Sequence, residues 1–148
     1  SMDKKSLNAY LRIIYELEES KQDVTVKSIS TLLNIKPASV SEMLNKLSKE
    51  EYLKHAPYKK IVLTKKGKKE GQLIARRYRL LQDFLFRILK IDRNRINKQA
   101  GEMEFSLSTE AEIELCRFLD RPMLDPLTNK PISHCEQKLT CAKCLCKK

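Results

Sequence analysis

Apolar residues recur at steps of three and four across residues 6–20, where Leu7, Tyr10, Leu11, Ile14 and Leu17 share one face. Glu16, Glu18 and Glu19 fall toward solvent, so the stretch predicts an amphipathic helix. Residues 21–24 form a linker. Thr25 can then cap a short helix that buries Val26, Ile29, Leu32 and Leu33. Asn34, Ile35 and Lys36 break the pattern. Pro37 fits the first turn of a second helix, where its missing N–H costs nothing. That helix is expected to bury Val40, Met43, Leu44 and Leu47. Residues 51–55 and 61–64 read as short β segments on either side of a turn at 56–60. Thr64 caps a long helix from residue 65 to about residue 90, whose apolar positions thicken toward its end. Asp92 caps a further helix to about Phe105, with Ile96, Ala100, Met103 and Phe105 as candidate core. Ser108 caps another over residues 109–120, where Ile113, Leu115, Cys116, Phe118 and Leu119 are mainly apolar. Residues 121–134 hold three prolines and predict an extended segment lying on the helices.

A short helix, a tight turn and a second helix with small polar residues on its outer N-terminal half make a helix-turn-helix. Small residues let such a helix seat in the DNA major groove, and Ser, Glu and Lys reach base edges and phosphates. The basic hairpin straight after it reads as a wing. The candidate DNA contacts are Lys27, Lys36, Pro37, Ala38, Ser39, Ser41, Glu42, Asn45 and Lys46, with Tyr58, Lys59 and Lys60 on the wing. The plainer reading is a small helical bundle with a solvated hairpin.

Charge favours the first reading. The net charge is +11, and residues 1–91 hold 20 Lys and Arg against 10 Asp and Glu, while residues 92–148 hold 10 against 9. The positive field therefore belongs to the part carrying the helix-turn-helix. Lys65, Lys66, Lys68, Lys69, Arg76, Arg77 and Arg79 on the long helix read as a solvated face that could also meet phosphates. No apolar run is long enough to span a membrane and no signal peptide is read, so a cytoplasmic protein is expected. Two histidines and no catalytic arrangement argue against an enzyme.

Four of the five cysteines crowd the end of the chain. Cys135, Cys141, Cys144 and Cys146 give a C-x5-C-x2-C-x-C spacing. Four thiolates in so short a loop can meet one centre, an iron–sulfur cluster in preference to zinc, because zinc ribbons tend to use two separated C-x2-C arms. His134 is an optional further donor. Cys116, on an apolar helix face, reads as core. A tail of free thiols is the plain alternative.

The chain resembles the diphtheria toxin repressor and manganese transport regulator family. The resemblance runs through YLRIIYELEE, IKPASVSEMLNKLSKEEYL, YKKIVLTKKGKKEG, RLLQDFL, LKIDRNRIN, EFSLSTEAEIELCRFLDRP and DPLTNKPI, over about residues 7–132. It implies a mostly α protein: a winged helix-turn-helix over residues 2–70, a helical dimerisation domain over 71–124, and a Pro- then Cys-rich tail over 125–148. It also implies a homodimer on a palindromic DNA operator. The family holds a divalent metal between its two parts. At those ligand positions this chain has Ala9, Arg12, Tyr78, Gln82, Gly101, Glu104 and Phe105. Only Glu104 among them can coordinate as an anion, and it reads best as a helix-surface acid. No family-type manganese or ferrous site is therefore expected. The sequence points to a dimeric regulator of iron, metal or redox homeostasis with a cysteine-bound effector. The rival is a winged-helix protein-interaction module in iron transport or cluster handling, its tail a structural zinc site.

Overall fold

The computed structural model describes residues 3–56 and 60–135. Two compact units divide the chain after Gln72.

The N-terminal unit opens with α1 (Lys4–Glu19), which buries Tyr10, Leu11, Ile14 and Leu17. Next come α2 (Val26–Leu33) and α3 (Pro37–Lys49). Thr25 begins α2 with a reciprocal cap: its Oγ1 accepts from the Ser28 N–H at 2.9 Å, and Ser28 Oγ accepts from the Thr25 N–H at 3.0 Å. Asn34 ends α2 in the left-handed region at φ 53°, a conformation asparagine tolerates well. Pro37 stands in the first turn of α3. Ile29, Val40, Leu44 and Leu47 are fully buried. Leu32 is not. It is 55% exposed, because α2 is two turns long and turns only a narrow stripe inward.

The hairpin is shorter than the alternation suggested. Strands β1 (Leu53–Lys54) and β2 (Val62–Leu63) pair antiparallel, with Leu53 opposite Leu63. Three ties fix it. Glu18 Oε2 accepts from the Leu63 N–H at 2.8 Å. Thr64 Oγ1 donates to the Glu51 carbonyl at 2.6 Å and accepts from the Gly67 N–H at 3.1 Å. Lys66 Nζ donates to the Glu50 carbonyl at 2.8 Å and lies 4.2 Å from the Tyr52 ring centre. Gly67, in the first turn of α4 (Lys65–Asp83), rests so close that a Cβ there would stand 1.9 Å from the Tyr52 carbonyl oxygen.

In the C-terminal unit the long helix does not run on in α form to residue 90. It ends at Asp83 and is followed by a π turn, Phe84–Ile88, in which the Leu89 N–H reaches the Phe84 carbonyl at 3.1 Å. Then come α5 (Arg93–Glu104) and α6 (Thr109–Phe118). Asp92 accepts from the Asn94 N–H and Ser108 from the Ala111 N–H, so both caps are made. One core cluster joins Tyr78, Leu81, Leu85, Ile96 and Ala100; another joins Leu80, Cys116, Leu119 and Ile132. Met103, expected inside, is 38% exposed, and Phe118, among the mainly apolar positions of α6, is 65% exposed. Phe118 meets Phe84 edge to face at 6.3 Å. Residues 121–134 are not simply extended. Leu124 bridges to Pro131 around a turn built on Asp125, whose carboxylate accepts from the Leu127 N–H at 2.9 Å and the Thr128 hydroxyl at 3.0 Å.

Candidate nucleic-acid interface

Helix α3 turns Val40, Leu44 and Leu47 inward, which leaves the opposite side to water. Lys36, Pro37, Ala38, Ser39, Glu42, Asn45 and Lys46 are exposed there, and Ser41 is half-buried. Nothing bulky projects from the first turns. Glu42 and Lys46 form an exposed ion pair at 3.6 Å, one helical turn apart. Lys27 on α2 and Lys60 on the hairpin are also exposed. Tyr58 and Lys59 lie outside the described residues. Lys65, Lys68 and Lys69 are exposed on the first turns of α4, while Lys66 is already engaged at the base of the hairpin.

The arginines further along α4 are not a solvated face. Arg76 and Arg79 are 2% and 3% exposed. Arg76 Nε donates to Glu112 Oε2 at 2.9 Å and its NH1 to the Ser133 carbonyl. Arg77 Nε donates to the other Glu112 oxygen at 2.6 Å. Arg79 NH1 donates to the Pro131 carbonyl at 2.7 Å. Further on, Arg87 pairs with the fully buried Asp83 and donates to the Leu119 carbonyl at 3.1 Å. Burial alone would lower the Arg76 pKa, but its contacts with Cys116 and Glu112 outweigh that and raise it. Asp125 is pushed up by burial, against the pull of its bonds to Leu127 and Thr128. A run of basic residues in a helix thus splits in two: lysines outside, and Arg76 and Arg79 inside, holding residues 131 and 133. The signal that separates them is the residue type, since Arg suits buried ion pairs and Lys does not.

The positions where the family carries metal ligands make a poor donor set. Arg12 is a cation held at 2.7 Å by Glu16, and Ala9 offers no donor atom. Tyr78 is buried. Gln82 spends its amide N–H on Asn97 Oδ1 at 2.9 Å, and its carbonyl oxygen is a buried acceptor without a partner. Glu104 is 1% exposed, so it is not the helix-surface acid that the sequence suggested. Its position on α5 carries it inward beside Ala100. Among the described residues no three His, Cys, Asp or Glu side chains gather as a metal site. Manganese or ferrous ions need several converging oxygen or nitrogen ligands, and one carboxylate with one amide oxygen does not supply them. The expected result is that calorimetry with manganese, on protein whose four tail cysteines are serine, gives no micromolar binding. Micromolar binding retained in that protein would restore a divalent site at Gln82 and Glu104.

Cys135 is partly exposed and Cys116 buried, neither in a disulfide, which agrees with Cys116 as core. Cys141, Cys144 and Cys146 lie outside the described residues. Among the described residues no helix is long and apolar enough to cross a membrane.

Two family models match the chain in succession. Residues 4–61 match the iron dependent repressor, N-terminal DNA binding domain, and residues 64–132 its metal binding and dimerisation domain. The solved manganese regulator SloR superposes with TM-score 0.73 at 28% identity, over 90% of this chain and 64% of that one. The apo form of the manganese-activated repressor ScaR gives TM-score 0.63 at 32% identity, over 79% and 56%. A manganese-dependent transcriptional repressor, in complex with manganese, has the same fold at TM-score 0.80 and 24% identity, over 88% and 59%. The chain spans under two thirds of each of these proteins. With both matched segments in order and the same fold in solved relatives, the chain belongs to the family of iron-dependent repressors, the diphtheria toxin repressor and manganese transport regulator type.

Proposed function

We propose that this chain is a dimeric transcriptional regulator that reads DNA through α3 and answers to a cofactor held by Cys135, Cys141, Cys144 and Cys146. The observation that carries the reading is the exposed, small-residue N-terminal half of α3, flanked by Lys27, Lys36 and Lys60. Ala38, Ser39 and Ser41 let the helix seat against base edges, and Glu42 and Asn45 are long enough to discriminate between them. The lysines and the wing, Tyr58 and Lys59 included, grip phosphates. Two winged helices on a two-fold axis match a palindromic operator. SloR and ScaR are manganese regulators, which points the regulated genes here toward metal supply. The divergent ligand set supports a sensing site in the tail. Four thiolates there favour an iron–sulfur cluster, with zinc as the alternative ligand.

Operator selection from random duplex DNA, followed by mobility shifts across salt, tests the DNA reading. Log K falls with log salt by about 0.9 for each phosphate that a lysine neutralises. Lys36→Ala with Lys60→Ala removes four lysines from a dimer, so it should reduce the slope by about 3.6 and weaken all duplexes alike. An unchanged slope would remove both lysines from the interface. Anaerobic purification with iron, sulfide and zinc analysis tests the cofactor.

A further inference from the structure

Helix α3 carries a single acid, Glu42. It stands five residues after Pro37, about 7.5 Å along the helix axis, within the half that meets base edges in a recognition helix. Ala38 lies one turn before it and Lys46 one turn after it, on the same face, and all three are exposed. The Ala38 methyl leaves the N-terminal side of the carboxylate open. On the other side Lys46 Nζ stands 3.6 Å from Glu42 Oε1. Such an exposed pair contributes little to stability, so its place on the helix matters more than its strength. An anion on a face turned to DNA is repelled by phosphates unless something there both neutralises it and uses it.

We propose that Glu42 reads a cytosine in each operator half-site and that Lys46 is a positioning residue for it. The inference rests on the reading of α3 as the helix that enters the major groove. A carboxylate only accepts hydrogen bonds. Guanine presents N7 and O6 in that groove and thymine presents O4, all of them acceptors, so both repel it. Adenine presents its N6 amino group beside the N7 acceptor, which opposes the second carboxylate oxygen. Cytosine presents its N4 amino group with no acceptor of its own beside it. The carboxylate therefore selects cytosine. Lys46 acts in two ways. Its charge cancels the repulsion from the flanking phosphates, and it engages Oε1, which leaves Oε2 to accept from the base. An amide in place of the carboxylate would offer a donor as well as an acceptor and would match adenine instead.

Operator selection from random duplex DNA, run with the full chain and three variants, tests both roles. The parent should select sequences with cytosine at one dominant position in each half-site. Glu42→Gln should move that preference to adenine, with a discrimination of about tenfold or more. Lys46→Ala should lower the cytosine preference several-fold and leave the salt slope unchanged, and Lys46→Arg should restore the preference. Both side chains are exposed, so all three variants should melt with the parent. The same selected sequence from Glu42→Gln as from the parent would overturn base reading by Glu42 and leave the DNA function of α3 standing. A Lys46→Ala protein that keeps its cytosine preference but loses about 1.8 from the salt slope, one phosphate per subunit, would make Lys46 a phosphate contact and overturn its positioning role. A parent that selects no sequence at all would overturn the reading of α3, and this inference with it.

Discussion

Replacing Glu112 with alanine is expected to cost the C-terminal unit about 3–5 kcal/mol, the usual loss when one partner of a buried ion pair is removed. Glu112 serves two arginines at once. Its two oxygens accept from Arg76 and Arg77, and the Arg76 and Glu112 side chains are 1% and 4% exposed. With the carboxylate gone, the Arg76 charge stays in the core without the anion that faces it. Arg76 also holds the Ser133 carbonyl, so the segment around residue 133 should loosen with it. Glu112→Gln keeps an acceptor and the side-chain volume and should lie between the parent and alanine. The neighbouring pair Arg117–Glu114 is a control, since its side chains are 36% and 61% exposed. Glu114→Ala should change stability by less than about 1 kcal/mol. Hydrogen exchange along α6 and residues 123–133 reads the effect within the unit, where a whole-chain melting curve would mix two units. Unchanged protection in Glu112→Ala would show that the pair contributes nothing net.

This part of the molecule was the least legible in the sequence, and the reason is physical. Periodicity finds apolar stripes, so it placed Ile29, Val40, Leu44, Leu47, Ile96 and Ala100 correctly inside. Caps are local chemistry, and Thr25, Pro37, Asp92 and Ser108 sit at the helix starts their side chains suggested. The exposed face of α3 follows from the same periodicity. A charged residue, by contrast, carries no mark of burial until its partner is known. Arg76, Arg79 and Glu104 looked solvated, and all three are buried, as is Glu112; for Arg76, Arg79 and Glu112 the partners lie tens of residues away. Exposed apolar residues fail in the opposite sense. Leu32 and Phe118 fit a helical stripe, and only packing reveals that the described residues leave them more than half open.

The second large effect concerns Gly67. Alanine is the better helix former by about 1 kcal/mol, and Gly67 is helical, so propensity alone predicts a gain. Steric contact reverses the sign. The added Cβ would stand 1.9 Å from the Tyr52 carbonyl oxygen, 2.9 Å from its carbon and 3.1 Å from Leu63 Cδ2. Two of these neighbours are backbone and cannot rotate away, so the hairpin or the first turn of α4 must shift. Gly67→Ala is expected to lose roughly 2 kcal/mol or more net, with overpacking outweighing propensity. The displaced part carries the wing, so operator affinity should fall with stability. Lys68→Ala, one position on and exposed, keeps the propensity gain without the clash and should be neutral or slightly stabilising. A Gly67→Ala protein as stable as the parent, with unchanged operator binding, would mean that the hairpin base can yield freely.

Arg87, Arg79 and Arg76 grip the stretch after α6 by its main chain, at the carbonyls of Leu119, Pro131 and Ser133. A carbonyl is present whatever residue occupies the position. These bonds constrain the number of residues between α6 and Ser133 more than the side chains at 131 and 133. An insertion or deletion there would shift both carbonyls out of register with a helix whose arginines sit at fixed rise. Ending the chain before residue 133 would take one carbonyl from Arg76, and ending it before 131 would take another from Arg79. The length of this segment is therefore as tightly constrained as its two buried side chains, Asp125 and Ile132.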